Sequence, residues 1–272
     1  MKQKYITYLA ATAAIMCLCC CSGKNAPTNN EELTWDSIIC DTTAKLTDDL
    51  HSPMAEIHLN IKYADGKKAT VINDSIITAG ILTPNYWEIN SKDKKMDIPQ
   101  ATNLFINMYL KDYLNSYRPL YEKDKEHTAS YNLQYSCNTH VEQQSSGTVC
   151  YIAEVYNYAG GAHGMNITIA KNFDPKTGKV LRLADVFVPG YEEPLKELIT
   201  HAICERFDVK DLQALQQKSI FLGIEPYVSE NFINRDEEVV FIYCDTEIAP
   251  HSIGEIRIPL NKKKLKDILK TS

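Results

Sequence analysis

Over residues 55–63 apolar and polar side chains alternate strictly, Ile57, Leu59 and Ile61 against His58, Asn60 and Lys62. A period of two marks a strand with one face on a core and the other in water. Such segments come in groups. Residues 33–41 and 55–63 form one pair. Residues 129–141 and 148–158 read as a long hairpin around Ser145-Ser146-Gly147. Residues 166–173 lead into a turn at 174–179, after which Leu181 and Leu183 resume the strand before Asp185. Strands return at 231–233, 238–244 and 255–260. Helical periodicity lies between the groups. It covers residues 71–82, where Val71, Ile72, Ile76 and Ala79 recur, and residues 98–118, capped by Asp97, with Pro99 in the first turn and Arg118-Pro119 at the close. The clearest helix is 194–207, whose Leu195, Leu198, Ile199, Ala202, Ile203 and Phe207 make one apolar face. Asp208 is placed to cap a short helix carrying Val209, Leu212 and Leu215, and Asn261 a last basic helix with Leu265, Ile268 and Leu269 facing inward. Grouped hairpins and helices exclude regular βαβ alternation and predict an α+β fold. The expected form is two small modules of antiparallel sheet with helices packed on one face, residues 33–165 and 166–272, joined near 158–165.

The segment before residue 33 reads as an address. Lys2 and Lys4 precede a charge-free stretch over 5–20, about 24 Å as a helix and short of the ~30 Å hydrocarbon core. A secretory leader over residues 1–20 is the expectation. Cys17-Leu18-Cys19-Cys20-Cys21-Ser22-Gly23 resembles a bacterial lipobox, with Leu18 three places before Cys21. Acylation is expected at Cys21, with Cys20 the alternative, followed by a polar tether over 21–32. A multiply acylated terminus holds a chain stably on a membrane. The expected location is the cell envelope, anchored by lipid and facing the periplasm or exterior. The whole chain has 29 basic and 35 acidic residues, a net charge of −6; loss of Lys2 and Lys4 leaves 27 against 35, or −8. That balance disfavours nucleic-acid binding, which needs clustered Lys and Arg. It favours encounter with a basic partner.

Known catalytic signatures are missing from the sequence: there is no G-x-S-x-G elbow, Walker lysine loop, H-E-x-x-H or EF-hand ladder. The seven histidines are dispersed, so no metal site and no cofactor is expected. His58 and His201 read as surface residues, and Glu192-Glu193 and Glu237-Glu238 as solvated neighbours rather than acid/base pairs. Beyond the leader lie Cys40, Cys137, Cys150, Cys204 and Cys244, with no C-x-x-C spacing. Cys137 and Cys150 flank the hairpin closely enough to bridge, whereas Cys204 and Cys244 read as buried free thiols.

One stretch stands out: Tyr156-Asn157-Tyr158-Ala159-Gly160-Gly161-Ala162-His163-Gly164. Glycines allow close backbone approach, tyrosines offer rigid half-polar faces, and His163 adds a titratable donor and acceptor. Two readings stand side by side, a contact surface and a tight corner that needs φ > 0 with His163 bonded to backbone. They are compatible, because corners between modules often line clefts.

This stretch resembles the RsiV-like envelope proteins. So do Asn172-Phe173-Asp174 with Thr177-Gly178-Lys179, Leu183-Ala184-Asp185-Val186-Phe187, and Glu247-Ile248-Ala249-Pro250-His251 with Gly254, in order over roughly residues 50–262. His251 stands where that family carries an aromatic Tyr. The family includes anti-sigma factors whose outer domain captures lysozyme, and the non-catalytic N-terminal region of certain peptidoglycan deacetylases. The resemblance implies an α+β fold and a recognition role outside the cytoplasm. No membrane span or cytoplasmic helix of the anti-sigma kind is visible, nor a metal-dependent catalytic domain. The expectation is the recognition part alone on a lipid anchor, not an enzyme, with a lysozyme-like protein or a cell-wall glycan as partner. Contacts are expected at Tyr156, Tyr158, Gly160, Gly161, His163, Gly164 and His251. The alternatives are a cell-wall hydrolase or esterase using His163 with a nearby acid or hydroxyl, and a purely structural scaffold.

Overall fold

In the computed structural model, residues 33–90 and 95–270 are described. The leader, Cys21 and the tether lie outside them. The chain forms β1 (Thr34–Lys45), β2 (Met54–Asp65), α1 (Ala69–Ile77), α2 (Tyr86–Asn90), α3 (Ile98–Lys123), β3 (Leu133–Gln143), β4 (Val149–Tyr158), β5 (Met165–Phe173), β6 (Val180–Leu181), α4 (Leu183–Val186), α5 (Glu192–Arg206), α6 (Leu212–Gln217), β7 (Phe232–Asn234), β8 (Glu238–Tyr243) and β9 (Ile256–Asn261). Among the described residues, no helix is long and apolar enough to cross a membrane.

Strands β1 to β6 make one sheet in chain order, and β7 to β9 a second. Every neighbouring pair is antiparallel except β2–β3. A parallel pair needs a long crossover, and α1, α2 and α3 fill it. The α+β expectation therefore holds, with one parallel pair inside an otherwise antiparallel sheet.

The β4 segment explains the layering. Val149, Tyr151, Ala153 and Val155 join a core with Ile57, Ile61, Phe105 and Tyr113, beneath the helices. The alternate residues Cys150 and Ile152 pack with Ala170, Ile233, Val240 and Ile242, between the two sheets. The far face of the small sheet, with Phe232, Val239, Phe241 and Tyr243, packs against Leu195, Ile199 and Ile203 of α5. The order is helices, large sheet, small sheet, helices. Each α5 anchor removes a full aliphatic side chain from water, about 1.5–3 kcal/mol apiece.

Two side-chain amides join the sheets where no backbone ladder does. Asn231 accepts from the Ala170 N–H (2.8 Å) and donates to the Thr168 carbonyl (2.7 Å). Asn172 reciprocates, accepting from the Asn234 N–H and donating to the Phe232 carbonyl, both at 2.8 Å. At the hairpin end, Arg235 makes a forked pair with Glu142 (2.9 and 2.9 Å) and bonds Glu238. Asp236 accepts from the Ser145 and Ser146 N–H groups. Glu238 is thus paired rather than simply solvated.

Several expectations are corrected. The large sheet continues beyond residue 165 through β5 and β6, and core membership changes over between Val180 and Leu183. Helix α3 runs through Pro119 to Lys123. The buried Tyr121 packs edge-on to Tyr131, and the Arg118 guanidinium donates to the Leu46 carbonyl; these contacts outweigh the lost N–H. Leu183 opens α4 instead of extending a strand. Asp211, not Asp208, caps α6 through the Ala214 N–H, while Asp208 takes a positive φ after α5. Residues 262–268 form consecutive turns rather than a helix. Ile268 and Val186 carbonyls instead accept from the Val188 and Lys270 N–H groups, drawing this end alongside Phe187. All five described cysteines are free. Cys137 and Cys150 face opposite sides of the sheet, in different cores, and burial pushes both thiols up to about 12.

Candidate functional site

The chain order brings three loops to one end of the molecule. Strand β4 runs toward residues 159–164, β8 toward 244–251, and residues 219–227 follow α6. The last two are tied together: the Phe221 N–H donates to the Ile248 carbonyl (2.8 Å), and the Tyr227 hydroxyl to Glu247 Oε1 (2.5 Å). Glu247 Oε2 in turn accepts from the Cys244 N–H (2.7 Å), closing the turn after β8. Burial and the adjoining Glu247 carboxylate hold the Tyr227 hydroxyl well above the ordinary range for a phenol. Tyr243, on the floor of the loop, donates to the Tyr227 carbonyl.

The two histidines singled out from sequence meet here. The His163 and His251 rings stack, with centroids 5.1 Å apart and planes 26° from parallel. His251 Nδ1 lies 2.6 Å from Asp245 Oδ2. A carboxylate only accepts, so Nδ1 carries a proton and the ring turns its Nε2 edge away from Asp245. The Asp245 side chain is 3% exposed against 42% for His251, which places a buried charge behind an accessible ring. Asp245 Oδ1 is buried without a partner among the described residues. His163 itself is exposed and has no hydrogen-bond partner among them; the imidazole stack holds it, rather than a backbone carbonyl.

The glycines divide by role. Gly160 has φ +78, and a Cβ there would lie 2.2 Å from the Ser130 carbonyl oxygen. A Cβ on Gly164 would lie 2.3 Å from the Tyr156 ring, which packs over that backbone. Both positions are explained by contacts inside the molecule. A Cβ on Gly161 would come no nearer than 4.0 Å, to the His163 carbonyl oxygen, so that position is not packed tight. Tyr156 and Tyr158 are half-buried, on the β4 face shared with Cys150 and Ile152. Exposed apolar side chains belong to the same loops and their flanks: Leu222, Ile224 and Tyr227 on one side, Met165 on the other.

The sequence reading missed Asp245, Glu247, Tyr227, Leu222 and Ile224. No spacing pattern links Asp245 to His163, and only the fold brings them near each other. Among the described residues no group of three or more His, Cys, Asp and Glu side chains is arranged to hold a metal ion. Two clefts lie elsewhere: one between α1, β5, β6 and β7, another beside Leu33. Neither is lined by His163 or His251. Both imidazoles are exposed.

An α+β sandwich bearing an exposed imidazole pair defines a class by shape alone, and comparison with known proteins narrows it. Residues 184–263 match the family described as "Protein of unknown function (DUF3298)". A curated relative, the peptidoglycan-N-acetylmuramic acid deacetylase PdaC of Bacillus subtilis (strain 168), is 27% identical over 225 residues, 80% of this chain. The chain spans 44% of that relative's length. A DUF3298-family protein of Bacteroides fragilis shares the fold with TM-score 0.74 at 23% identity, over 90% of this chain and 96% of that one. A second, from Pseudomonas aeruginosa PAO1, superposes with TM-score 0.57 at 19% identity, over 89% and 97%. Both likenesses are of fold.

Proposed function

We propose that this protein is a lipid-anchored binding protein of the bacterial cell envelope, recognising a lysozyme-like protein or a peptidoglycan glycan through the face built on His163 and His251. The observation that carries the reading is the stacked pair with Asp245 behind it. A buried carboxylate fixes one ring, the second ring lies against the first, and the loops at this end carry exposed apolar side chains. Rigid aromatic faces with a few oriented polar atoms suit recognition of sugars and proteins. The similarity to a peptidoglycan deacetylase supports the cell wall as the setting. The lipobox-like segment ending at Cys21 supports the anchor.

A hydrolase or esterase reading needs a nucleophile or an acid within reach of His163. Among the described residues His163 has no hydrogen bond to a hydroxyl, thiol or acid, and the Asp245–His251 pair has no hydroxyl or thiol as a hydrogen-bonded third member. The Cys244 thiol is engaged with the Thr168 carbonyl.

Titration calorimetry against hen lysozyme and against purified muropeptides, at two salt concentrations, tests the reading. Binding to one of the two is expected, weakened at least tenfold in His163→Ala and His251→Ala. Flat traces with both ligands overturn the named partners. A lysozyme isotherm that strengthens at low salt is expected from the acidic charge of the chain.

A further inference from the structure

All five long strands of the large sheet share one end. There β1 begins at Thr34, β2 finishes at Asp65, β3 at Gln143 and β5 at Phe173, and β4 begins at Val149. A cleft of about 620 Å³ opens at this end, lined by Leu33, Lys67, Lys68, Gln144, Thr148 and Lys176 among others. Lys67 and Lys68 precede α1, and Lys176 sits in the β5–β6 turn. That turn is held close, since a Cβ on Gly178 would lie 3.1 Å from Lys68 Cβ. All three lysines are exposed, and none makes an ion pair among the described residues. No acidic side chain lines the cleft, and the carboxylates nearest to it in the chain are each held in a turn. Asp65 accepts from the Gly66 N–H, Asp174 from the Lys176 N–H and the Thr177 hydroxyl, and Asp236 from Ser145 and Ser146. A chain of net charge −6 thus carries a cleft whose charged lining residues are all lysines.

Leu33 lines that cleft, so the 32 residues before it enter the fold there. The opposite end, about 30 Å away along the ten residues of β4, carries the His163 loop. We propose that the lysine cleft faces the membrane and binds the phosphates of anionic lipid headgroups, holding the His163–His251 face away from the bilayer. The proposal rests on the anchored reading given above. Lysine ammonium groups are point donors suited to phosphate oxygens, and each one close to an anionic surface is worth roughly a factor of five in binding. Three together are worth about a hundredfold.

The test uses the full chain with Cys19→Ser, Cys20→Ser and Cys21→Ser, which cannot be acylated, so that the patch is measured apart from the anchor. Sedimentation with vesicles of phosphatidylcholine alone, or mixed with phosphatidylglycerol, is compared at low and high salt. The leader, which carries Lys2 and Lys4, adds the same background to every variant at a given vesicle composition, so the comparison between variants carries the test. Binding is expected to favour the anionic vesicles and to fall at least about a hundredfold in Lys67→Glu/Lys68→Glu/Lys176→Glu, with Lys67→Arg/Lys68→Arg/Lys176→Arg retaining it. Partitioning indifferent to lipid charge, or unchanged in the glutamate variant, overturns the proposal. So does perturbation of the Lys68 and Thr70 amides by inorganic phosphate without charge-dependent vesicle binding, which assigns the cleft to free phosphate. Failure of the anchored reading registers separately, as the absence of a diacyl mass on the unmodified chain.

Discussion

The amide seam between the sheets gives a perturbation whose size follows from its geometry. Asn172 is 1% exposed, and its side chain is the partner of both the Phe232 carbonyl and the Asn234 N–H. Asn172→Ala leaves both groups buried and unpaired. At about 1–3 kcal/mol for each orphaned group, the cost is about 2–6 kcal/mol. That is a large share of the 5–15 kcal/mol typical of a folded domain. Urea denaturation followed by both tryptophan fluorescence and circular dichroism reads it. Asn172→Asp sharpens the argument. Its ionised carboxylate still accepts from Asn234 but opposes the Phe232 carbonyl, oxygen against oxygen, in a dry site. The native-state pKa of that new carboxyl is therefore raised above its unfolded value, and the folded state takes up a proton that the unfolded state does not. Stability must then rise as pH falls through the native pKa, until the unfolded chain also protonates. Two results refute the reasoning: a loss below about 1 kcal/mol in Asn172→Ala, or an Asp variant whose deficit does not shrink on acidification. Because β5 starts just after the His163 loop and β7 leads into β8 and the His251 loop, both variants are also expected to weaken the imidazole stack.

Three further outcomes follow from the same contacts. Gly160→Ala forces a positive φ and a clash with the Ser130 carbonyl, backbone against backbone; a loss of about 1–3 kcal/mol is expected in urea melts. In Gly164→Ala the atoms nearest the new Cβ are the outer end of the Tyr156 ring, which can turn aside, so thermal stability should change little while near-ultraviolet dichroism and ligand binding change. The Arg235 guanidinium holds the Glu142 carboxyl below its ordinary range. Its stabilising contribution is present above the unfolded pKa of about 4.3 and is lost as pH falls through the lower folded value. Acid titration of Glu142→Gln should show a flatter fall in stability below about pH 4.

What the sequence disclosed was the local part of the fold. The alternation of Ile57, Leu59 and Ile61 placed β2, and the face of Leu195, Ile199 and Ile203 placed α5, because each pattern reports its own neighbours' burial. The parallel β2–β3 pair was not legible, since grouped strands imply hairpins and nothing local states that three helices intervene. Val149 to Ala153 is a nearly unbroken apolar run, the composition of a strand covered on both faces. Read that way, it would have announced a second sheet above β4. Pro119 misled because a helix-breaking residue says nothing of the packing that Tyr121 gains beyond it. His163 and His251 were each visible as chemistry, but their meeting depends on β5 docking beside β7 through Asn172 and Asn231, and Asp245 offered no signal at all.

The pairing of β1 with β2 extends over all twelve residues of each strand, from Thr34 opposite Asp65 to Lys45 opposite Met54. A pull on the chain at Leu33, directed along the strand axis while the far loops are gripped, loads these rungs side by side. They must give way together, in shear, instead of peeling one at a time. A leash attached there can transmit tension without unravelling what it holds.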